Sequence, residues 1–87
     1  MADKLKTSLA AAATSNLTSL TEHGTVRIVT NGLLKVSAEL DDSGDGVWEQ
    51  VAIIGPGPGM DVSYVGTKLN LTNIGTAAAN VRVGQLA

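Results

Sequence analysis

A regular alternation of apolar and polar residues marks the middle of the chain as a β-hairpin. The alternating apolar residues of the first arm are Leu34, Val36, Ala38 and Leu40. A period of two places them on one face of a strand and the intervening polar residues on the other. Residues 41–46 follow without any apolar side chain and are rich in Asp and Gly, which favour turns. An apolar return stretch, 47–54, completes the pattern, which predicts a hairpin over residues 33–54.

Shorter alternating runs on either side of this hairpin predict further strands. These runs lie at residues 17–20, 25–30, 60–64, 69–72 and 81–83. Asn31-Gly32 between two such runs is a strong hairpin signal, so strand 25–30 is expected to pair with the strand that follows it. Connections this short leave no room for βαβ crossovers. We therefore expect an all-β fold, a small antiparallel β-sandwich of six to seven strands that is jelly-roll-like or Ig-like.

Residues 55–59, with the sequence Gly-Pro-Gly-Pro-Gly, must end the second arm of the hairpin. Proline lacks the N–H that a strand ladder needs, and glycine weakens a strand interior. An extended Pro-rich path rises about 3.1 Å per residue, so five residues reach roughly 15 Å, more than the ~10 Å between packed sheets. The segment is therefore predicted to cross from one sheet to the other.

The N-terminal segment, residues 1–16, is Ala-rich and differs from the rest of the chain. Its apolar residues at helical spacing are Leu5, Leu9, Ala12 and Ala13. Alanine favours helix, but an isolated helix of this length is marginal in water. Two interpretations remain open: a frayed tail, or an arm that orders against a partner through these four residues. The predicted organisation is an N-terminal arm, 1–16, and a β-sandwich domain, 17–87.

Composition excludes several classes of function. The net charge is −2 and the six basic residues are scattered, which argues against a nucleic-acid partner. The absence of cysteine excludes disulfides and Cys-based metal sites. No apolar run is long enough to span a bilayer, and the first residues do not make a secretion signal. We therefore expect no membrane partner and a chain that is made and kept in a cytoplasm.

The predicted core consists of aliphatic side chains of moderate size, since the chain has nine Val, ten Leu, four Ile and no Phe. Burying one such side chain contributes about 1.5–3 kcal/mol, while ordering one residue costs on the order of 1–2 kcal/mol in backbone entropy. A small domain without disulfides often gains stability by burying surface against copies of itself or a larger partner. The sequence therefore predicts a homo-oligomer or a component of a larger assembly.

Residues with catalytic chemistry are few. His23 is the single histidine, there is no cysteine, and no serine lies in a Gly-x-Ser-x-Gly setting, so a nucleophile and base have few candidates. We expect neither enzymatic activity nor a cofactor.

The acidic turn partly matches a calcium-binding loop. Asp41, Ser43 and Asp45 fall at positions 1, 3 and 5 of such a loop, and Glu49 falls at position 9. Position 12, which normally supplies a bidentate Glu, is Ala52 here. The two interpretations are a weak calcium site and a hydrated hairpin turn.

The two aromatic residues allow two further interpretations. Trp48 could form a sugar-stacking platform together with Tyr64, or it could cap the end of the core. A calcium- and sugar-dependent change in Trp fluorescence would favour the glycan contact.

The stretch 33–83 resembles the small β-sandwich virion accessory proteins of tailed bacteriophages, which decorate capsids or associate with tails. The resemblance rests on the apolar strand 36–40, the Asp/Gly turn that ends in Trp at 45–48, the Gly-rich break 57–59 and the final Val-Arg-Val strand 81–83. It implies a capsid decoration (cement) protein that binds the major capsid protein or another virion protein, assembled in the bacterial host cytoplasm. It implies no catalytic residue. The Ala-rich arm departs from the family and leaves head and tail locations open. The alternative is a glycan-binding module for host attachment.

Overall fold

The structure is a computed structural model that describes residues 2–18, 20–39 and 48–86. In these ranges the chain forms eight strands and no helix, and hence no helix that could cross a membrane. The strands are β1 (Ala2–Leu9), β2 (Thr14–Leu17), β3 (Thr25–Thr30), β4 (Leu34–Glu39), β5 (Trp48–Ile54), β6 (Met60–Ser63), β7 (Leu69–Asn73) and β8 (Ala79–Gln85). They form two antiparallel sheets of four: sheet 1 in the order β1-β8-β3-β6, and sheet 2 in the order β2-β7-β4-β5. The predicted all-β class is confirmed.

One hydrophobic core takes side chains from both sheets. Its members with the least exposed surface are Val26, Ile28, Leu34, Val36, Leu69, Leu71 and Val83. The alternation predicted for the first arm of the hairpin is confirmed where it can be checked, because Leu34, Val36 and Ala38 are all buried. Leu40 lies outside the described residues.

The central hairpin is also confirmed. Strands β4 and β5 pair antiparallel from Leu34 opposite Ile54 to Glu39 opposite Trp48, with one register irregularity between Val36 and Ser37. The residues that join the two strands, 40–47, lie outside the described residues.

The hairpin predicted at Asn31-Gly32 is wrong, because β3 belongs to sheet 1 and β4 to sheet 2. A two-residue hairpin turn of this sequence needs positive φ at both central residues, and neither residue has it. Glycine is required here for another reason. A Cβ on Gly32 would lie 2.5 Å from the Cβ of Ala79, so this position permits the close approach of the chain to the start of β8 as it changes sheets.

The crossover predicted at residues 55–59 is confirmed. This segment leaves β5 at the end of sheet 2 and enters β6 at the end of sheet 1. It therefore joins two edge strands on the same side of the molecule, where β5 and β6 contact each other.

The N-terminal segment is strand where the helical spacing suggested an arm. β1 pairs with β8, with Leu9 opposite Ala79, and β2 pairs with β7. Leu5 and Leu9 are four residues apart, an interval that puts two side chains on one face of a helix and equally on one face of a strand. The ladder offered by β8 favours the strand. β1 also raises the strand count to eight in the described residues, above the six to seven expected.

Candidate functional site

The most distinctive surface of the protein is the edge formed by β5, at the end of sheet 2. Three of the large apolar side chains exposed in the described ranges lie on this strand. Trp48 is 36% exposed, Val51 46% and Ile53 47%. We call these three residues the β5 surface. Their neighbour Ile54 is 2% exposed, so the strand carries one buried isoleucine directly beside an exposed one.

The pairing of β5 with β4 explains this arrangement. Ile54 lies opposite the buried Leu34, and alternation therefore turns Ile53 to the outer face. The register shift leaves Val51 without an opposite residue on β4, as in a β-bulge. The bulge thus presents an additional apolar side chain at an edge that already exposes Ile53.

An edge strand with apolar side chains is suited to binding protein. Its unpaired backbone groups can accept another strand, and contiguous exposed apolar surface marks interaction sites in soluble proteins. No chemistry is needed at such a site, because backbone hydrogen bonds and burial of apolar area supply the affinity. The β5 surface is therefore our candidate functional site.

Trp48 and Tyr64 are not brought together. Trp48 begins β5 in sheet 2, whereas Tyr64 follows β6 of sheet 1 and is 5% exposed. The Tyr64 hydroxyl donates a hydrogen bond to the backbone oxygen of Thr21, and the amide of Gln85 donates one to the same hydroxyl over 3.0 Å. Tyr64 is thus a core residue with a satisfied polar tip, which removes its ring from the expected glycan contact. Trp48 is not among the buried core residues.

The four residues expected to bind a partner from the N-terminal segment do not form a surface patch. Leu9 belongs to the buried core, and Leu5 and Ala13 pack against it. Ala12 is exposed in the turn between β1 and β2, with a φ of 64°. Three of the four apolar side chains are therefore used within the protein.

The calcium interpretation lies largely beyond the described residues, since Asp41, Ser43 and Asp45 fall in 40–47. Glu49 is exposed on β5. Within the part of the chain that the structure describes, no group of three His, Cys, Asp or Glu side chains could hold a metal ion.

Asn73 is a structural residue that sequence reasoning missed. Its side chain is completely buried and makes three hydrogen bonds: Nδ2 donates to the backbone oxygens of Leu9 (2.9 Å) and Ala77 (2.8 Å), and Oδ1 accepts from the backbone N–H of Gly75 (2.9 Å). A signal was present, because Asn73 continues the alternation of Leu69 and Leu71 onto the core face. A polar residue at such a position needs partners.

The outer face of sheet 1 is polar, in contrast to the β5 surface. Arg27 donates from Nε and Nη2 to both carboxylate oxygens of Asp61, at 2.8 and 3.2 Å. Arg82 binds Asp3 in the same way, at 3.0 and 3.1 Å. The hydrogen bonds from Arg27 hold the pKa of Asp61 below its ordinary 3.8, and they raise the pKa of Arg27.

Comparison with solved structures bears on the fold. The chain is similar to the solution NMR structure of a de novo designed double-stranded β-helix, with a TM-score of 0.64 and 13% sequence identity over 94% of this chain and 96% of that one. Neither protein-family models nor curated proteins give a match. At this identity the likeness concerns the fold alone.

Proposed function

We propose that this protein is a structural component of a larger assembly, specifically a bacteriophage capsid decoration (cement) protein that binds the major capsid protein or another virion protein. The observation that carries the proposal is the β5 surface, an edge strand with three exposed large apolar side chains. Soluble monomers usually protect such edges with charge, proline or a covering segment. We infer that a partner covers β5 in the assembled virion.

We also propose that the two sheets form a jelly-roll-like β-sandwich. Support comes from the strand order, in which β1-β8-β3-β6 and β2-β7-β4-β5 place consecutive strands mostly in opposite sheets, and from the likeness to a double-stranded β-helix. Jelly rolls occur in viral capsid proteins and in lectins, so the fold suits a virion component and a glycan-binding module equally and selects neither.

Two measurements test the proposal: the mass of the free protein in solution and its binding to capsid shells. Sedimentation velocity over a range of protein concentrations should show homo-oligomers. Co-sedimentation with empty shells assembled from the major capsid protein of the same phage should show saturable binding. Since β1 and β2 belong to the two sheets, the interface is probed by point substitution on β5 rather than by deleting residues 1–16. A protein that stays monomeric and does not sediment with shells would refute the proposal.

A glycan-binding module for host attachment is the second candidate, favoured by the partial exposure of Trp48. One exposed aromatic ring can stack on a sugar face, although Tyr64 cannot assist it. Because the chain contains a single Trp, its fluorescence reports on this position without ambiguity. Titration with mono- and oligosaccharides, with and without calcium, should leave the emission unchanged if decoration is correct. A saturable, sugar-dependent change that Trp48→Ala abolishes would favour the glycan module instead.

A further inference from the structure

The outer face of sheet 1 carries a cavity of about 690 Å³, in the size range of small-molecule sites. Its floor includes Lys6, Arg82 and Val29, which lie side by side on β1, β8 and β3. Val81 and Val83 point into the core, so Arg82 between them points outward. The pairing register brings Lys6 and Val29 to the same face. None of the three residues of the β5 surface lines the cavity, and Val81 is the member of the core that does.

One wall of the cavity comes from the crossover segment 55–59, through Pro56 and Gly57. This wall is held in place at Gly59, where φ is +108° and an added Cβ would lie 2.8 Å from Val29 Cγ2 and 3.0 Å from the backbone oxygen of Ile28. Only glycine allows the segment to lie so close to β3. The same contact fixes the position of Pro56 and Gly57 beside the floor.

The chemistry of the cavity is cationic at one side and apolar at the other. Lys6 and Arg82 supply positive charge, that of Arg82 being paired with Asp3 beside the cavity, and none of the described residues that line the cavity is acidic. Val29, Pro56 and the aliphatic stems of the two cations supply apolar contact. Asn31 lies at the end of the cavity, where its Oδ1 accepts a hydrogen bond from the Asn80 backbone N–H at 2.8 Å, and this leaves its amide NH₂ to donate.

We propose that this cavity binds a small organic anion with an apolar body. The anionic group lies between Lys6 and Arg82, and the apolar body lies against Val29 and Pro56. Asp3 already accepts hydrogen bonds from Nε and Nη2 of Arg82, so its carboxylate competes with the ligand for the guanidinium. The site does not depend on the proposed assembly function.

Anilinonaphthalene sulfonate, a fluorescent apolar anion, is a suitable probe. We expect one saturable site per chain. Lys6→Gln should weaken its binding by about two- to fivefold, as loss of an exposed ion pair would. Asp3→Asn should have the opposite effect and tighten binding by about two- to fivefold, because it frees Arg82. General damage to the sheet would weaken dye binding in both variants and would not tighten it in Asp3→Asn.

Two controls separate this site from non-specific binding. Lys35→Gln makes the same change of charge on sheet 2, opposite Ile53, and should leave the affinity unchanged. Phenylnaphthylamine, which lacks the sulfonate, should bind the original protein and Lys6→Gln equally. Thermal unfolding midpoints identify any variant that has lost its fold. The proposal is overturned if Lys35→Gln weakens dye binding as much as Lys6→Gln, if Asp3→Asn does not tighten it, or if there is no saturable binding.

Discussion

The two edge strands β1 and β5 occupy similar positions in their sheets but differ in the chemistry of their exposed side chains. Each stands at the end of a four-stranded sheet, and each has a register irregularity in its pairing. The exposed side chains of β1 include Asp3, Lys4 and Lys6, whereas β5 exposes the apolar Val51 and Ile53 and has one charged residue, Glu49. Charged side chains, lysine above all, are a common means of preventing edge-to-edge association.

This difference supports our proposal that a partner covers the β5 edge. The protein has a means of protecting an edge and applies it to β1, so the apolar residues of β5 are not an inevitable consequence of a small sheet. Because β5 and β6 contact each other, the exposed Met60 at the start of β6 extends the same side of the molecule. If the two edges differ in use, substitutions on them should differ in their effects on assembly and on stability.

The largest difference in stability should be between substitutions at the two adjacent isoleucines of β5. Ile54→Ala, in the core, should lower the free energy of unfolding by about 2–5 kcal/mol. Ile53→Ala, on the outer face, should change it by less than about 0.5 kcal/mol. Urea unfolding of both variants, at concentrations where the chain is monomeric, gives the comparison. Equal destabilisation would mean that the β5 surface is part of the fold and not a surface for a partner.

The next largest effect on stability should come from the buried side chain of Asn73. Asn73→Ala removes the hydrogen-bond partner of three backbone groups, the carbonyls of Leu9 and Ala77 and the N–H of Gly75. It should cost about 2–3 kcal/mol. Asn70→Ala is the matched control, because the buried Oδ1 of Asn70 has no hydrogen-bond partner among the described residues. Its cost should be much smaller. Urea unfolding measures both, and a neutral Asn73→Ala would contradict the structural role assigned to this side chain.

Introducing charge into β5 should convert it to the β1 type. Val51→Lys should leave the far-UV circular dichroism unchanged and weaken self-association or shell binding at least tenfold, about 1.4 kcal/mol. Ser8→Lys adds the same charge to β1 and should leave association unchanged. Sedimentation velocity of the two variants makes the comparison. Equal weakening by both substitutions would show that net charge, and not the β5 surface, controls assembly.

The smallest effect should come from the ion pair at the other end of sheet 1. The pKa of Asp61 is lowered in the folded protein. The ionised carboxylate therefore contributes to stability above pH 3.8, and this contribution is lost as the pH falls through the folded-state pKa. Asp61→Asn should therefore make the thermal unfolding midpoint slightly less sensitive to acid. Arg27→Gln removes the same pair from the other side and should remove the same part of the pH dependence. A variant pair with unchanged acid sensitivity would count against this linkage.

Local pattern was sufficient for the parts of the fold where neighbouring residues carry the information. The alternation at Leu34, Val36 and Ala38 fixed which face of β4 is buried. Proline and glycine at 55–59 ended β5 and predicted the change of sheet, because their restrictions on hydrogen bonding and backbone conformation act within a few residues. The strand class of most segments followed from the same period of two.

Tertiary structure decided the features that depend on residues far apart in the chain. Leu5 and Leu9 fit a helix or a strand equally well, and only the ladder offered by β8 selects the strand. Asn31-Gly32 has the composition of a hairpin turn, yet the distribution of strands between the two sheets makes it a crossover. The burial of Tyr64 against Thr21, the cavity beside Arg82 and the exposed edge at β5 likewise arise from pairings that no local window contains. Sequence periodicity sets which face of a strand is apolar, whereas its neighbours in the sheet determine whether that face and that edge are covered.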